Sequence, residues 1–259
     1  MRWILVVPFL TVLLAFESSA QQRPQIPPQV GQLVLSIADT WNSSRAKLRC
    51  FHRSSHQQSW RPAVFSKPVA VLLGKHGLAW GRGALPNPPS KAPTKREGDR
   101  RAPAGCFAIG KLYGYPSTVP QGAAYPYRQV TKWDAWIDDP KNPYYNQHFV
   151  ANPSNVPPWF AKQRMRLGDA AYTYLLEIRH NTNPPQPGAG SAIFFHTRRG
   201  PDRVTSGCTT MARTNLEVLI KWLRAEQSPH YVLLPEAEYV KLAPIWQLPA
   251  VDLTTKSTR

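Results

Sequence analysis

Proline restricts this chain more than any other residue type does. The sequence holds 27 prolines in 259 residues, about twice the usual frequency. Because proline lacks a backbone N–H and fixes φ, it interrupts helices and central strands. An all-helical bundle is therefore excluded, and many loops should be stiffened by proline. Apolar residues still make up 42% of the chain, which is enough to build a substantial core.

Short apolar or alternating segments between turn residues predict a mainly β fold. One helix is predicted from Thr214, because Thr214 and Glu217 have capping-box spacing and leucines follow at helical spacing, with its end near 226–228. The Pro- and Lys/Arg-rich segment 81–105 should be an exposed loop. Residues 46–52 are expected to pair antiparallel with 33–37, and residues 172–179 alternate, with the even-numbered positions on one face. The predicted strands are residues 33–37, 46–52, 60–65, 69–73, 106–112, 133–137, 148–150, 172–179, 191–196 and 231–234.

The two ends of the chain differ in composition from the middle. Residues 1–20 have a positive start, an apolar run and a small-residue cleavage site, which is typical of a secretory signal peptide. The run is too short to span a bilayer comfortably, so we expect export without a stable membrane anchor. We further expect a flexible lead-in over 21–32, a single domain over 33–248 and a polar tail over 249–259.

Three cysteines, Cys50, Cys106 and Cys208, follow the predicted leader. In an oxidising compartment cysteines tend to pair as disulfides, so an odd number leaves one cysteine unpaired. A Cys50–Cys106 bridge with Cys208 free is one pairing, although sequence alone does not fix it. The free thiol is then either an inert buried group or a reactive one.

Cys208 follows Gly207 in a TSGC turn, and His196 ends an apolar strand twelve residues upstream. A thiol needs a nearby base to become a nucleophile, and turn amides of Ser206 and Gly207 can bind an oxyanion. Spacing alone leaves two interpretations open: a Cys–His pair, or a packed cysteine with an unrelated histidine. His180 also closes a strand, which makes it a candidate neighbour of His196.

Metal and nucleic-acid binding receive little support. His180, His196 and Cys208 are suitable zinc ligand types, but no HExxH or CxxC spacing supports a site, and we predict no metal. The net charge is +17, with basic clusters at 91–101 and 198–203. Such clusters attract polyanions. For an exported chain, carboxylate-bearing peptidoglycan is a more plausible partner than nucleic acid, and a solvated basic surface is the alternative.

Several separated motifs resemble those of YkuD-type L,D-transpeptidases. FFHTRRGPDRVTSGCTTM is similar to the catalytic His…Gly-Cys motif of that family, and KREGDRRAPAGCFAIG is similar to its upstream signature, with Ala102 in place of threonine. WIDDPKNPYYN and GSAIFFH resemble segments of its exported branch. The resemblance runs from about residue 33 to residue 234.

The resemblance implies a β-sandwich or barrel catalytic domain with a few short helices and no cofactor. It implies that Cys208 is the nucleophile and His196 the base, with Ser206 and Gly207 near the oxyanion. The implied reaction cleaves a peptidoglycan tetrapeptide stem, releases D-alanine and passes the acyl group from a Cys208 thioester to an amine of a neighbouring stem. The implied location is the periplasm or cell envelope.

The sequence departs from the usual family pattern around the cysteine. Ser206 stands where histidine is frequent, and Thr210 where arginine is frequent, with Arg213 a candidate substitute. The spacing from His196 to Cys208 is also shorter than usual. Two alternatives therefore stay open: a thiol-dependent carboxypeptidase or endopeptidase with the same site, and a non-catalytic basic wall-binding module.

Overall fold

A computed structural model describes residues 25–88 and 91–253. These residues form thirteen β-strands, three α-helices and two short 3-10 turns, so the prediction of a mainly β fold is confirmed. The leader predicted over 1–20 lies outside the described residues. The elements are β1 (Gln32–Ala38), β2 (Arg45–His52), β3 (Arg61–Ala63), β4 (Val69–Leu72), β5 (Leu78–Trp80), β6 (Ala102–Gly114), β7 (Tyr127–Gln129), β8 (Asp134–Trp136), β9 (His148–Val150), α1 (Phe160–Gln163), β10 (Tyr174–Ile178), β11 (Phe194–Thr197), β12 (Thr209–Met211), α2 (Arg213–Trp222), β13 (His230–Pro235) and α3 (Glu236–Trp246).

The main sheet closes on itself as a barrel. Its strand order is β1-β13-β6-β10-β11-β12-β4-β2, and β2 pairs again with β1, which joins the two ends. The predicted antiparallel pairing of the first two strands is observed, with Val34 opposite Cys50. β3 extends the sheet beside β2, and β5 and β7 pair with β6. Closure satisfies the backbone groups that an open edge would leave unpaired.

Apolar side chains fill the barrel. Leu35, Phe107, Leu176, Phe195 and Val232 have no exposed surface and belong to one core cluster. β1 is buried along its whole length rather than on alternate residues, because α3 packs against it from outside. β10 is likewise buried at every position. The alternation predicted for residues 172–179 therefore does not describe its exposure.

A separate two-stranded sheet, β8 and β9, belongs to an insertion between β7 and β10. Asp134 is its buried anchor: its carboxylate accepts hydrogen bonds from Arg128 at 2.6 Å, from Thr131, and from His148 at 2.7 Å. Although burial acts to raise it, these hydrogen bonds lower the pKa of Asp134 to about 2. The insertion is thus tied to the barrel by a charged network.

The helices differ from the sequence-based expectation. α2 begins at Arg213 after Ala212, so Thr214 lies inside the helix and no side chain caps it. α3 was not predicted. It contains Pro244, a residue typical of loops, yet it begins after Pro235 with two glutamates in its first turn. Because Pro244 lies near the end of α3, it removes little of the helical hydrogen bonding.

The predicted Cys50–Cys106 disulfide is wrong, since both thiols are free and buried. Cys50 lies on β2 and Cys106 on β6, and β1 and β13 separate these strands in the sheet. Three strand spacings of about 4.8 Å amount to roughly 14 Å, twice the Cα separation of about 7 Å that a disulfide tolerates. Burial raises the pKa of both thiols, so neither is poised to react.

The described residues on either side of the predicted domain, 25–32 and 249–253, are packed against it. Ile26 and Val30, in the predicted flexible lead-in, are buried, and the Ile26 amide donates to the Trp246 carbonyl at 3.1 Å. In the predicted polar tail, the Val251 amide donates to the Tyr239 hydroxyl at 3.1 Å. The described residues of both segments, 25–32 and 249–253, therefore pack against the core.

Candidate active site

Two adjacent parallel strands bring His196 and Cys208 to the same face of the barrel. In the register of β11 and β12, His196 lies opposite Thr210, and Cys208 directly precedes β12. Because side chains alternate along a strand, Cys208 and Thr210 point to the same side as His196. Both His196 and Cys208 line one cavity of about 210 Å³.

His196 is held in a single orientation. Its Nδ1 lies 2.9 Å from the Thr197 carbonyl oxygen. Since a carbonyl only accepts, Nδ1 carries the proton and Nε2 keeps its lone pair. Burial lowers the pKa of His196 to about 4, with a smaller lowering from Arg199. The imidazole is therefore neutral at pH 7 and able to accept a proton at Nε2.

Cys208 is a protonated thiol in the resting site. Its Sγ donates to the Ala192 carbonyl at 3.5 Å. Burial raises the pKa of the thiol to about 11, although nearby Lys95 and Arg199 act in the opposite direction. The site at rest thus pairs a neutral thiol with a neutral imidazole rather than a thiolate with an imidazolium.

The turn before Cys208 requires its glycine. Gly207 has φ +149°, and a Cβ there would lie 3.0 Å from the Arg101 carbonyl oxygen and 3.1 Å from Ile193. The Thr205 hydroxyl braces the turn by accepting from the Gly207 amide at 3.0 Å and donating to the Cys208 carbonyl at 2.7 Å. Ser206 is exposed. In this arrangement the Gly207 amide already has a partner.

A tyrosine ring and an arginine–aspartate ion pair lie beside His196. The Tyr172 ring meets the His196 imidazole edge-on, with centroids 5.0 Å apart. The Arg199 guanidinium lies 4.8 Å from the centre of the Tyr172 ring and forms an ion pair with Asp169 at 2.6 Å. Sequence reasoning missed all three residues, because Tyr172 and Asp169 lie outside the catalytic motif and meet Arg199 only in the folded chain.

The insertion forms one wall of the cavity. Trp136, Asp138 and Met165 line it, and the Trp136 ring packs edge-on against Phe194 with centroids 4.8 Å apart. The Trp136 indole N–H also donates to Asn146 at 3.1 Å. The segment WIDDPKNPYYN therefore supplies part of the site's wall.

Residues from three of the sequence motifs meet at the side chains of Glu97 and Asn146. The Glu97 carboxylate accepts from the Tyr145 hydroxyl at 2.5 Å and from the Ser191 hydroxyl at 2.7 Å. The Asn146 amide oxygen accepts from the Ala192 N–H at 3.0 Å, next to the carbonyl that holds the Cys208 thiol. Segments far apart in sequence thus fix the position of the nucleophile.

His180 and Arg213 do not join this cavity. His180 is buried elsewhere: its Nδ1 accepts from the Arg82 amide at 3.2 Å, and its Nε2 donates to the Ala189 carbonyl at 3.0 Å. Arg213 forms an exposed ion pair with Glu217 at 2.8 Å on α2. The structure therefore gives both residues partners outside the site.

Two further features concern ligands and membranes. Over residues 25–88 and 91–253, no group of three or more His, Cys, Asp or Glu side chains is placed to hold a metal ion. In the same part of the chain, none of the helices combines the length and the apolar character that crossing a bilayer requires.

The fold and the cavity define a class: a β-barrel domain with a cysteine and a histidine in one cavity, the pair used in thiol-dependent acyl transfer. Residues 42–232 match the YkuD family model, described as the L,D-transpeptidase catalytic domain, and the chain belongs to this family. The resemblance seen in the sequence is thereby confirmed. The match lies within the domain predicted over 33–248, whose limits stay a prediction. No curated protein and no solved structure matches the chain.

Proposed function

We propose that the protein is an exported L,D-transpeptidase that cross-links peptidoglycan stem peptides through a thioester on Cys208. The observation that carries this proposal is the shared cavity of Cys208 and His196, in a chain that belongs to the L,D-transpeptidase family. The predicted leader, the basic net charge of +17 and the carboxylates of peptidoglycan agree with a site of action in the periplasm or cell envelope.

In the first half-reaction, the Cys208 sulfur attacks the carbonyl carbon of the L,D peptide bond while His196 Nε2 takes the thiol proton. The C–N bond then breaks, and His196 returns this proton to the departing D-alanine nitrogen. The product is a thioester between the stem peptide and Cys208. Proton transfer during attack suits a pair that is neutral at rest.

In the second half-reaction, an amine of a neighbouring stem attacks the thioester carbon. His196 accepts the amine proton, the C–S bond breaks, and the proton passes to the departing sulfur, which regenerates the thiol. An amide bond has then replaced the thioester, so the two stems are joined. Water in place of the amine would give hydrolysis, which is the carboxypeptidase or endopeptidase alternative.

We place the oxyanion against the turn of Ser206, Gly207 and Cys208, because backbone amides of a turn that carries the nucleophile can donate to it. In the free protein the Gly207 amide donates to Thr205. This amide therefore has to change partners when the tetrahedral intermediate forms. Thr205 would then control how readily the donor becomes available.

Purified protein incubated with tetrapeptide muropeptides tests the function. Cross-linked dimers are expected, and Cys208→Ala should form none while keeping the wild-type melting temperature within a few degrees. Trimmed monomers would indicate the hydrolase, and binding without any product would indicate the wall-binding module. Cross-linking by Cys208→Ala at the wild-type rate would refute the assignment.

A carbapenem, an acyl donor that the family resemblance suggests, tests the nucleophile directly. Intact-mass measurement should show one covalent adduct, mapped to the peptide that contains Gly207-Cys208-Thr209. The buried Cys50 and Cys106 are internal controls, because they should stay unmodified in the folded protein. An adduct on either of them instead of Cys208 would contradict the proposed role.

A further inference from the structure

Two adjoining cavities lie apart from the cavity of Cys208 and share no lining residue with it. The larger, of about 620 Å³, lies between loop 81–87 and segment 179–184. The smaller, of about 340 Å³, lies beside Lys111. Both are lined by Ala108 and Arg179. The two cavities therefore meet at these two residues, and together they are here called the arginine groove.

The charge in the arginine groove has one sign. Arg82 and Arg179 line its larger part, Lys111 and Arg179 its smaller part, and no aspartate or glutamate lines either cavity. Within the described part of the chain, the Arg82 guanidinium has no ion-pair partner. Arg179 approaches Glu177 at 3.8 Å, and the Glu177 carboxylate also accepts from the Lys111 amide at 3.1 Å. The groove thus carries an excess of positive charge, which attracts anions.

The backbone that carries these arginines is fixed. The Arg82 amide donates to His180 Nδ1 at 3.2 Å, and the Arg82 carbonyl accepts from the Asn181 amide at 2.8 Å. The Arg179 amide donates to the Ala108 carbonyl at 2.9 Å. Burial lowers the pKa of His180 to about 4, so this histidine stays neutral and keeps the tautomer that accepts at Nδ1. His180 therefore builds the groove rather than the catalytic pair.

One side chain links the groove to the cavity of Cys208. The Asn146 amide nitrogen donates to the carbonyl of Asn181, a residue of the groove, at 2.7 Å. The oxygen of the same amide accepts from the N–H of Ala192, a residue of the Cys208 cavity, at 3.0 Å. Lining residues of the two cavities therefore lie on either side of one buried asparagine side chain.

We infer that the arginine groove is a second binding site that holds free carboxylates of the wall polymer while another part of the polymer occupies the Cys208 cavity. Guanidinium groups bind carboxylates through paired, charge-assisted hydrogen bonds. Three cations along the groove, Arg82, Lys111 and Arg179, suit a chain that carries carboxylates at intervals. This inference rests on the proposed function, because peptidoglycan is taken from it.

Binding to insoluble peptidoglycan sacculi tests the groove in full-length Cys208→Ala protein, which needs no catalysis. Arg82→Gln/Arg179→Gln should bind at least tenfold more weakly than the Cys208→Ala parent. The matched control is Arg61→Gln/Lys67→Gln, which removes the same charge from exposed positions on β3 and before β4. The control should lose less than threefold, and raising the salt concentration should reduce the difference between the two pairs.

If both double variants lose the same affinity for sacculi, the inference is wrong and binding depends on general charge attraction. If neither variant loses affinity, the inference is also wrong. If the double variant melts early, the single Arg82→Gln variant decides, since its guanidinium has no ion-pair partner among the described residues. A loss of at least threefold in that variant is expected, and an unchanged affinity would refute the groove.

Chemical treatment of the sacculi identifies the bound group. Amidation of their carboxylates should abolish the difference between the groove variant and the parent, while removal of phosphate polymers should leave it intact. The reverse pattern would refute carboxylate recognition. The proposed function fails separately, if wild-type protein forms neither a carbapenem adduct nor a cross-link, and that result leaves the binding measurement standing.

Discussion

The resting thiol of Cys208 should react slowly with small reagents at neutral pH, and raising the pH should accelerate it without a plateau below pH 9. Burial raises the pKa of this thiol to about 11, and its S–H bond to the Ala192 carbonyl also holds the protonated form. Only the thiolate attacks a disulfide reagent. The pH therefore controls the fraction of protein able to react.

The magnitude follows from the two pKa values. A free cysteine with a pKa of about 8.5 is about 3% thiolate at pH 7, whereas a thiol with a pKa of about 11 is about 0.01% thiolate, roughly 300-fold less. The more basic thiolate is intrinsically more nucleophilic by about 10- to 20-fold. We therefore expect Cys208 to react about 20-fold more slowly than a cysteine in an unstructured peptide.

The assay follows a small aromatic disulfide from pH 6 to pH 10 at constant ionic strength, with Cys208→Ala protein as the blank for the two buried thiols. The logarithm of the rate should rise by about one per pH unit up to pH 9, as it does for a group that titrates above that range. A plateau at or below pH 7 would show a preformed thiolate–imidazolium pair and would refute the neutral resting state.

Three substitutions test residues that support the site. Thr205→Val removes the bond that positions the Cys208 carbonyl and also releases the Gly207 amide. Because the first bond orients the whole turn, carbapenem acylation should fall about tenfold, in line with a lost hydrogen bond of about 1.4 kcal/mol, while Thr205→Ser retains most of the rate; faster acylation by Thr205→Val would show that release of the Gly207 amide outweighs the loss of the brace. Arg199→Gln removes a cation that lowers the pKa of His196, so this pKa should rise. The acid limb of the pH–rate profile for carbapenem acylation should then move to higher pH, and an unmoved limb would contradict this. Asp134→Asn breaks a buried charge network and should lower the free energy of unfolding by about 3 kcal/mol. Because the pKa of Asp134 is lowered to about 2, the difference in urea unfolding should persist at pH 7 and shrink as the pH falls from about 4 toward 2.

Local patterning predicted much of the barrel. β2, β9 and β13 were predicted within one residue at each end, because their apolar residues lie between clear turn signals. β10 shows the limit of that reasoning, since the insertion covers its outer face and removes the expected alternation. β12 was missed because it has only three residues, which is too short for a recognisable hydrophobic pattern. α3 was missed because Pro244 argues against a helix that tertiary packing nevertheless stabilises.

The candidate site divides in the same way. Cys208 and His196 were predicted from a turn, a strand end and a family motif, all of which are local. Thr205 belongs to the TSGC turn and carried a usable signal, since a hydroxyl two residues before the turn glycine can brace the turn. Tyr172 carried none, because its contact with His196 forms only when segment 169–172 folds against segment 196–199. The incorrect disulfide has the same origin: counting cysteines does not reveal the two strands that separate Cys50 from Cys106.

Because Cys208 and His196 are both neutral at rest, the need for His196 as a base should depend on the reagent that is attacked. The His196→Ala variant tests this dependence. With a carbapenem, the thiol proton has to leave as the C–S bond forms, so loss of the base should slow acylation by about 10²- to 10⁴-fold at pH 7. With the small disulfide at pH 10, solvent hydroxide removes the proton beforehand, so the same variant should react within about threefold of wild type. Equal slowing in both reactions would mean that His196 shapes the cavity rather than moving a proton. Equal rates in both would mean that another group is the base.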